Sequence, residues 1–313
     1  MRPSQPTLDV TVVIPTRDRL DFLAEAIESV LVQTRAVDRL VVVDNSQKIP
    51  AEVEELCAAF GEGRVEYLPP LRDLSLNENH QRALSVASST FVCVLQDDDR
   101  YAPTFIERAV SALADCEDAS LYAVNYAAMD PDGVQFQQRA FGNFPAGILS
   151  PSEFIAHAVE YNSPVHLSAS MFRRDASCSA AFYEGDSMVS DLGLFMRIAC
   201  AGPVILVDEP LSSVRIHGGT ASSGRGWSVG SRSLLNDLVP LEWAAKERFL
   251  KTTPAARVLG ESLPGIRSKG AKRVTAAYRQ LIRDRNSSLR ERMFGLSKML
   301  EVTYRTWQDN RVV

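Results

Sequence analysis

The chain has 313 residues, a net charge of −5, and 45% hydrophobic against 23% charged composition, which excludes a disordered or fibrous protein and leaves room for one large domain plus an appendage. Its longest apolar runs, such as Phe91 to Leu95 and Val204 to Val207, fall far short of the roughly 20 residues that span a bilayer, so no transmembrane helix is expected. The first nine residues hold Arg2, Pro3 and Pro6 without an apolar core or cleavage site, and the five cysteines are scattered with no CxxC pair; both features point to a cytoplasmic protein.

Val10 to Ile14 is a β-branched run stopped by Pro15, which predicts a buried strand ending in a loop. Leu20, Leu23, Ala24, Ile27, Val30 and Leu31 fall at helical spacing, so Arg19 to Gln33 predicts an amphipathic helix. Leu40 to Val43 reads as a second strand, closed by Asp44, Asn45 and Ser46. Ala51 to Phe60 reads as a helix stopped by Gly61, Val65 to Leu68 as a third strand, and Asn77 to Ser88 as another helix. The fourth strand, Phe91 to Leu95, runs straight into Gln96, Asp97, Asp98 and Asp99. This alternation of near-continuous apolar strands with helices predicts an α/β fold, a mostly parallel sheet with helices on both faces. Ligands of such sheets bind beyond the carboxyl ends of the strands, where Pro15 to Arg19, Asp44 to Ser46 and Asp97 to Asp99 fall.

The second half is less regular. Ala119 to Tyr126, Val165 to Met171, Val204 to Val207 and Ser213 to Ile216 read as strands, and Pro151 to Ala158 and Asp191 to Ala201 as helices. Gly218, Gly219, Gly224, Gly226 and Gly230, mixed with serines, mark a mobile loop, and from about Ser231 the pattern is helical to the end.

Three adjacent aspartates after a buried strand need an explanation, because packed carboxylates repel and raise one another's pKa. A divalent cation removes the conflict, and hard oxygen ligands suit Mn²⁺ or Mg²⁺. The plainer reading is a solvated acidic turn leading into the helix that begins near Pro103. Asp191, just ahead of an apolar helix, reads equally as an N-cap. His217, alone at a strand end, reads as structural on position alone.

Residues 12–34 (VVIPTRDRLDFLAEAIESVLVQT), 40–46 (LVVVDNS) and 77–103 (NENHQRALSVASSTFVCVLQDDDRYAP) together resemble the nucleotide-binding half of family-2 glycosyltransferases with the GT-A fold. The resemblance implies that Pro15, Thr16 and Arg17 line the base and ribose and that Asp44 accepts from a pyrimidine N3–H. It sets Asn79, assisted by Asn77, on the helix before the acidic strand, with Asp97 near the ribose. Counting back from Tyr101-Ala102-Pro103 makes Asp98 the metal aspartate, whereas a literal DxD gives Asp97 and Asp99; Gln96 stands where the commonest motif has Asp. The metal set implied is Asp98, Asp99 and His217. Ser190-Asp191 is similar to the family's Glu-Asp helix start, whose Asp is the catalytic base, with Ser190 in place of Glu. Val214 to Gly219 resembles the segment that carries a histidine near the metal and diphosphate, followed by a lid.

The activity so implied is inverting transfer of a sugar from a nucleotide-sugar, UDP-sugar first and dTDP-sugar second, to a glycan, lipid-linked or small-molecule acceptor hydroxyl. No nucleic-acid partner is expected. A sugar-1-phosphate nucleotidyltransferase stays open, as does a non-catalytic nucleotide-sugar-binding protein on the same fold. The expected organisation is a GT-A domain over 1–231, with a nucleotide-binding half at about 10–110 and an acceptor half at about 111–231, followed by a helical C-terminal region over 232–313. From Pro264 onward, 12 Lys and Arg face 4 Asp and Glu. Apolar Ala277, Tyr278, Leu281, Ile282, Leu289, Met293, Phe294, Leu296, Met299, Leu300, Val302 and Tyr304 alternate with basic residues. The tail is therefore a candidate for contact with an anionic inner-membrane face or a homodimer, and the plainer reading is that its stripe covers the catalytic domain.

Overall fold

The structure, a computed structural model, describes residues 8–140, 144–161, 163–178, 182, 190–217, 239–283, 293 and 295–303. Its first half alternates β1 (Val10–Thr16), α1 (Leu23–Leu31), β2 (Arg39–Asp44), α2 (Pro50–Ala59), β3 (Glu66–Leu68), α3 (Leu76–Val86) and β4 (Phe91–Val94). There follow β5 (Arg100–Tyr101), α4 (Phe105–Asp115), β6 (Leu121–Met129), β7 (Gln135–Gln137), β8 (Gly147–Leu149) and α5 (Pro151–Glu160). Then come β9 (Ser170–Arg173), α6 (Arg174–Cys178), α7 (Ser190–Ala199), β10 (Val204–Arg215), α8 (Val239–Leu250), α9 (Thr253–Leu259) and α10 (Leu263–Arg283).

All ten strands form one sheet, whose main path runs β3-β2-β1-β4-β9-β6-β10-β5. The β3-β2-β1-β4 portion is wholly parallel, and β6 also pairs parallel with β10. Strand β9 enters antiparallel between β4 and β6 and joins the two halves. Because β1 has β2 on one side and β4 on the other, the strand order reverses between the ends of β1 and β4. That reversal opens a crevice at the carboxyl end of the sheet.

Side chains of a strand alternate between faces, and here both faces are buried. Val12, Ile14, Val42 and Cys93 pack on Leu23, Ile27, Val53, Phe105 and Ile106 of α1, α2 and α4. Val13, Val41, Val43, Val92 and Val94 belong to the opposite layer with α3, α5 and α7, including Ala83, Phe154 and Phe195. The same layer contains Trp243, Phe249, Leu250, Ala255, Leu259, Ala271 and Val302, so the C-terminal helices share the core on this face of the sheet.

Two expected short strands, Val204 to Val207 and Ser213 to Ile216, are one twelve-residue strand, β10, paired along β6. Its register shifts between Val207 and Pro210 and again before Ser212, so the proline sits in a bulge where its missing N–H is no loss. The expected strand Val165 to Met171 is shorter; Leu167–Ala169 turns as a 3-10 helix before β9 begins. Among the described residues no helix is long and apolar enough to cross a membrane.

Candidate active site

Four loops meet at the crevice. Behind β1, Asp18 takes a left-handed conformation (φ 51°), which aspartate tolerates better than most side chains. Its N–H donates to Ser46 Oγ at 2.8 Å, and its Oδ1 accepts from the N–H groups of Gln47 (3.0 Å) and Lys48 (2.9 Å). The loops after β1 and β2 are thus clamped together. Asn45 pairs with both backbone groups of Leu74, donating to its carbonyl at 2.9 Å and accepting from its N–H at 3.1 Å. Ser75 then caps α3 through a reciprocal exchange with Glu78.

The sequence-expected nucleotide residues lie along this floor. Pro15 and Thr16 are buried at the end of β1, and Thr16 Oγ1 donates to Asp97 Oδ2 at 2.8 Å. Arg17 is exposed, paired with Asp73 at 2.9 Å and bonded to the Leu74 carbonyl. Asp44 is buried at the end of β2; its Oδ1 accepts from the Ser46 N–H at 2.7 Å and its Oδ2 from the Tyr67 hydroxyl at 2.9 Å. Asn79 is buried, and its Oδ1 has no hydrogen-bond partner among the described residues. Asn77 accepts from Ser190 Oγ at 2.8 Å, which turns it toward α7. Gln96, the departure from the commonest acidic motif, stands 3.3 Å from His80 Nε2, and its N–H donates to Ser168 Oγ at 3.0 Å.

The three aspartates have three different environments. Asp98 Oδ2 lies 3.0 Å from His217 Nε2 and 2.8 Å from Arg19 Nη1. Arg19 also reaches Asp97 Oδ1 at 3.0 Å, so one guanidinium nitrogen bridges two carboxylates. Burial, then the Asp98 charge, pushes the Asp97 carboxyl up to about 6, against the opposing pull of Arg19. Asp99 is pushed higher than usual for the same two causes. Its Oδ1 accepts from the Arg215 N–H at 2.9 Å, while its buried Oδ2 has no hydrogen-bond partner among the described residues and lies 3.9 Å from His166 Nδ1. The structure therefore joins His217 to Asp98 and turns Asp99 to β10 and His166. Among the described residues no three His, Cys, Asp or Glu side chains converge as a ready-made metal cluster. Gly218 and Gly219, with the rest of the expected lid, lie outside the described residues.

Asp191 is the second residue of α7, inside its first turn, and its Oδ1 accepts from the Leu192 N–H at 2.8 Å. Burial pushes this carboxyl up to about 6. The phenol of Tyr126 is raised by burial and then by the charges of Asp99 and Asp191, so both carboxylates lie within its electrostatic reach. The Tyr126 ring also packs tilted on His166 at 5.3 Å. Burial drives His166 down to about 4, so at neutral pH it is uncharged, with Nδ1 accepting from the Ser168 N–H.

Sequence reasoning missed the residue that holds the acidic turn in place. Arg215 is fully buried and donates from Nε to the Asp98 carbonyl (2.9 Å) and from Nη1 to the Pro131 carbonyl (2.6 Å). Its Nη2 pairs with Glu25 at 2.6 Å, and the guanidinium lies 4.4 Å from the Phe22 ring centroid. The signal available was a charge inside the apolar run Val214 to Ile216.

The sequence profile of Glycosyl transferase family 2 matches residues 11–177, more than half of the chain. This chain belongs to glycosyl transferase family 2. Membership makes it a glycosyltransferase and sets the crevice at the end of β1 and β4 inside the matched region. The fold is similar to crystal structures of S. aureus TarS. TarS 1–349 in complex with UDP-GlcNAc superposes with a TM-score of 0.58 at 13% identity, over 97% of this chain and 91% of that one. The same fragment in complex with UDP gives 0.55 at 12% identity, with the same coverage. Against the longer TarS chain the TM-score is 0.54 at 13% identity, over 87% of this chain but 55% of that one, so this chain spans about half its length. At such identity the likeness speaks for the fold, a GT-A-type α/β architecture as expected. A search of curated proteins finds no significant match.

Proposed function

We propose that this family-2 glycosyltransferase moves a sugar from a UDP-sugar to an acceptor hydroxyl by a single inverting displacement. The observation that carries the reading is the meeting of Thr16, Asp97, Asp98 and His217 at the reversal of strand order, with the half-buried carboxyl of Asp191 in the first turn of α7. The choice of uridine nucleotide is supported by the TarS fragment, which binds UDP and UDP-GlcNAc on the same fold.

The floor built by Pro15, Thr16, Arg17, Asp44 and Asn79 holds the base and ribose, with Asp97 nearest the ribose. Asp98 and His217, whose Oδ2 and Nε2 lie 3.0 Å apart, would hold a divalent cation, Mn²⁺ or Mg²⁺; the donor set fits, because such ions commonly take one or two protein ligands and fill the rest from substrate phosphates and water. When bound, the ion neutralises charge on the departing diphosphate. Arg19 supplies positive charge at the same carboxylates, and Arg215 holds their turn rigid. Asp191 takes the proton of the acceptor hydroxyl, which is a poor nucleophile until a base does so.

Calorimetry of UDP binding in Mn²⁺ and in EDTA tests the donor half. Wild type binds UDP more tightly with Mn²⁺, and Asp98→Asn removes the enhancement. Equal affinity in Mn²⁺ and EDTA would overturn the metal reading while leaving the base untouched.

A further inference from the structure

Ser190 stands where the family motif usually carries Glu, and its hydroxyl has a defined use. Its Oγ donates to Asn77 Oδ1 at 2.8 Å, with both residues buried and 113 positions apart in sequence. Asn77 is the second residue of α3, and the start of α3 is fixed to the donor side. Asn45, at the end of β2, grips Leu74 through two hydrogen bonds, and Ser75 caps the helix at Glu78. Helix starts are otherwise loosely held, because their first N–H groups lack intrahelical partners. A hydrogen bond on the first residue of α7 therefore sets where the next residue, Asp191, points.

We infer that Ser190 and Asn77 are a positioning pair that aims the Asp191 carboxylate and ties it to the donor-binding loops. The inference rests on the reading of Asp191 as the base. A neutral hydroxyl suits the position, since a second carboxylate beside Asp191 would repel its charged form. Small displacements of a reacting group are enough to matter, as about 1 Å can lower turnover by about 10²-fold.

The test is UDP release from a panel of UDP-sugars with hydroxyl acceptors by wild type, Ser190→Ala, Ser190→Thr, Asn77→Ala, the Ala double variant and Asp191→Asn, with melting curves for each. The pair predicts that Ser190→Ala lowers kcat about 10-fold with the donor KM unchanged. Ser190→Thr restores it, and the double variant loses no more than either single one, as expected of residues acting as a unit. Wild-type kcat in Ser190→Ala, or losses that multiply in the double variant, would overturn the pair. A raised donor KM in Asn77→Ala alone would return Asn77 to the nucleotide and overturn it too. If Asp191→Asn turns over normally, or wild type releases no UDP, the underlying reading and the pair fall together. If Asp191→Asn is inactive and Ser190→Ala is not, only the pair falls.

Discussion

At Asp191 the protonation state that the proposed base role needs opposes the one that burial favours. Burial lifts its carboxyl from an ordinary 3.8 to about 6, so the neutral form contributes stability below about 3.8 that is lost as pH rises through about 6. A base must be charged, so with Asp191 in that proposed role kcat should rise as pH passes through about 6. Asp191→Asn should lower kcat by at least about 10²-fold. Its melting temperature, measured against wild type, should rise from about pH 4 to about pH 7.5, because the amide never ionises. Near-normal kcat with a lower melting temperature at every pH would make Asp191 a helix-start residue instead. The polar residues that line the crevice were legible because polar groups at the ends of apolar strands stand out. Arg19 and Arg215 were not, because a paired cation in a folded turn reads in sequence like a surface one.

At the scale of elements, β10 carries the acidic turn. Its last residue, Arg215, binds the backbone of Asp98 and Asp99 Oδ1 and pairs with Glu25 of α1, so a strand of the second half fixes a loop of the first. Arg215→Met removes the guanidinium bonds to the Asp98 and Pro131 carbonyls and to Glu25, keeps the backbone N–H on Asp99 Oδ1, and preserves most of the volume. Glu25 retains Arg100 at 3.2 Å and is half-exposed, so the loss should fall near about 2–4 kcal/mol, between that of an unpaired buried polar group and that of a fully buried broken pair. Urea unfolding reads it, and a change under about 1 kcal/mol would deny Arg215 this role. The parallel strands β1 to β4 were readable because burial on both faces leaves continuous apolar runs. The continuity of β10 was not, since Pro210 looks like a strand end and only pairing with β6 shows the bulge that absorbs it. The antiparallel entry of β9 likewise depends on partners distant in sequence.

Taken as a whole, one of the two apolar layers runs from the sheet into the described C-terminal helices. Trp243, Phe249, Ala271 and Val302 join Phe195 and Val92 in a single apolar layer, and Tyr278 is buried as well. The tail's apolar stripe is thus used, in part, to cover its own catalytic half. Met293, Leu296 and Leu300 remain exposed, whereas Leu289, Phe294 and Tyr304 lie outside the described residues. A chain ending at Leu263 should lose cooperative unfolding and aggregate, because removing α10 bares the faces of α5 and α8 around Val159 and Trp243; a melting temperature equal to the full chain's would show a separable appendage. The central claim is sugar transfer from a UDP-sugar with Asp191 as base, and one measurement meets it directly. Wild type and Asp191→Asn are incubated with UDP-sugars, Mn²⁺ and a panel of hydroxyl acceptors, and acceptor mass and released UDP are read together by mass spectrometry. The account predicts one sugar added to an acceptor per UDP released by wild type, with little by the variant. Transfer undiminished in Asp191→Asn, or no transfer from any UDP-sugar while UDP itself binds, would contradict it.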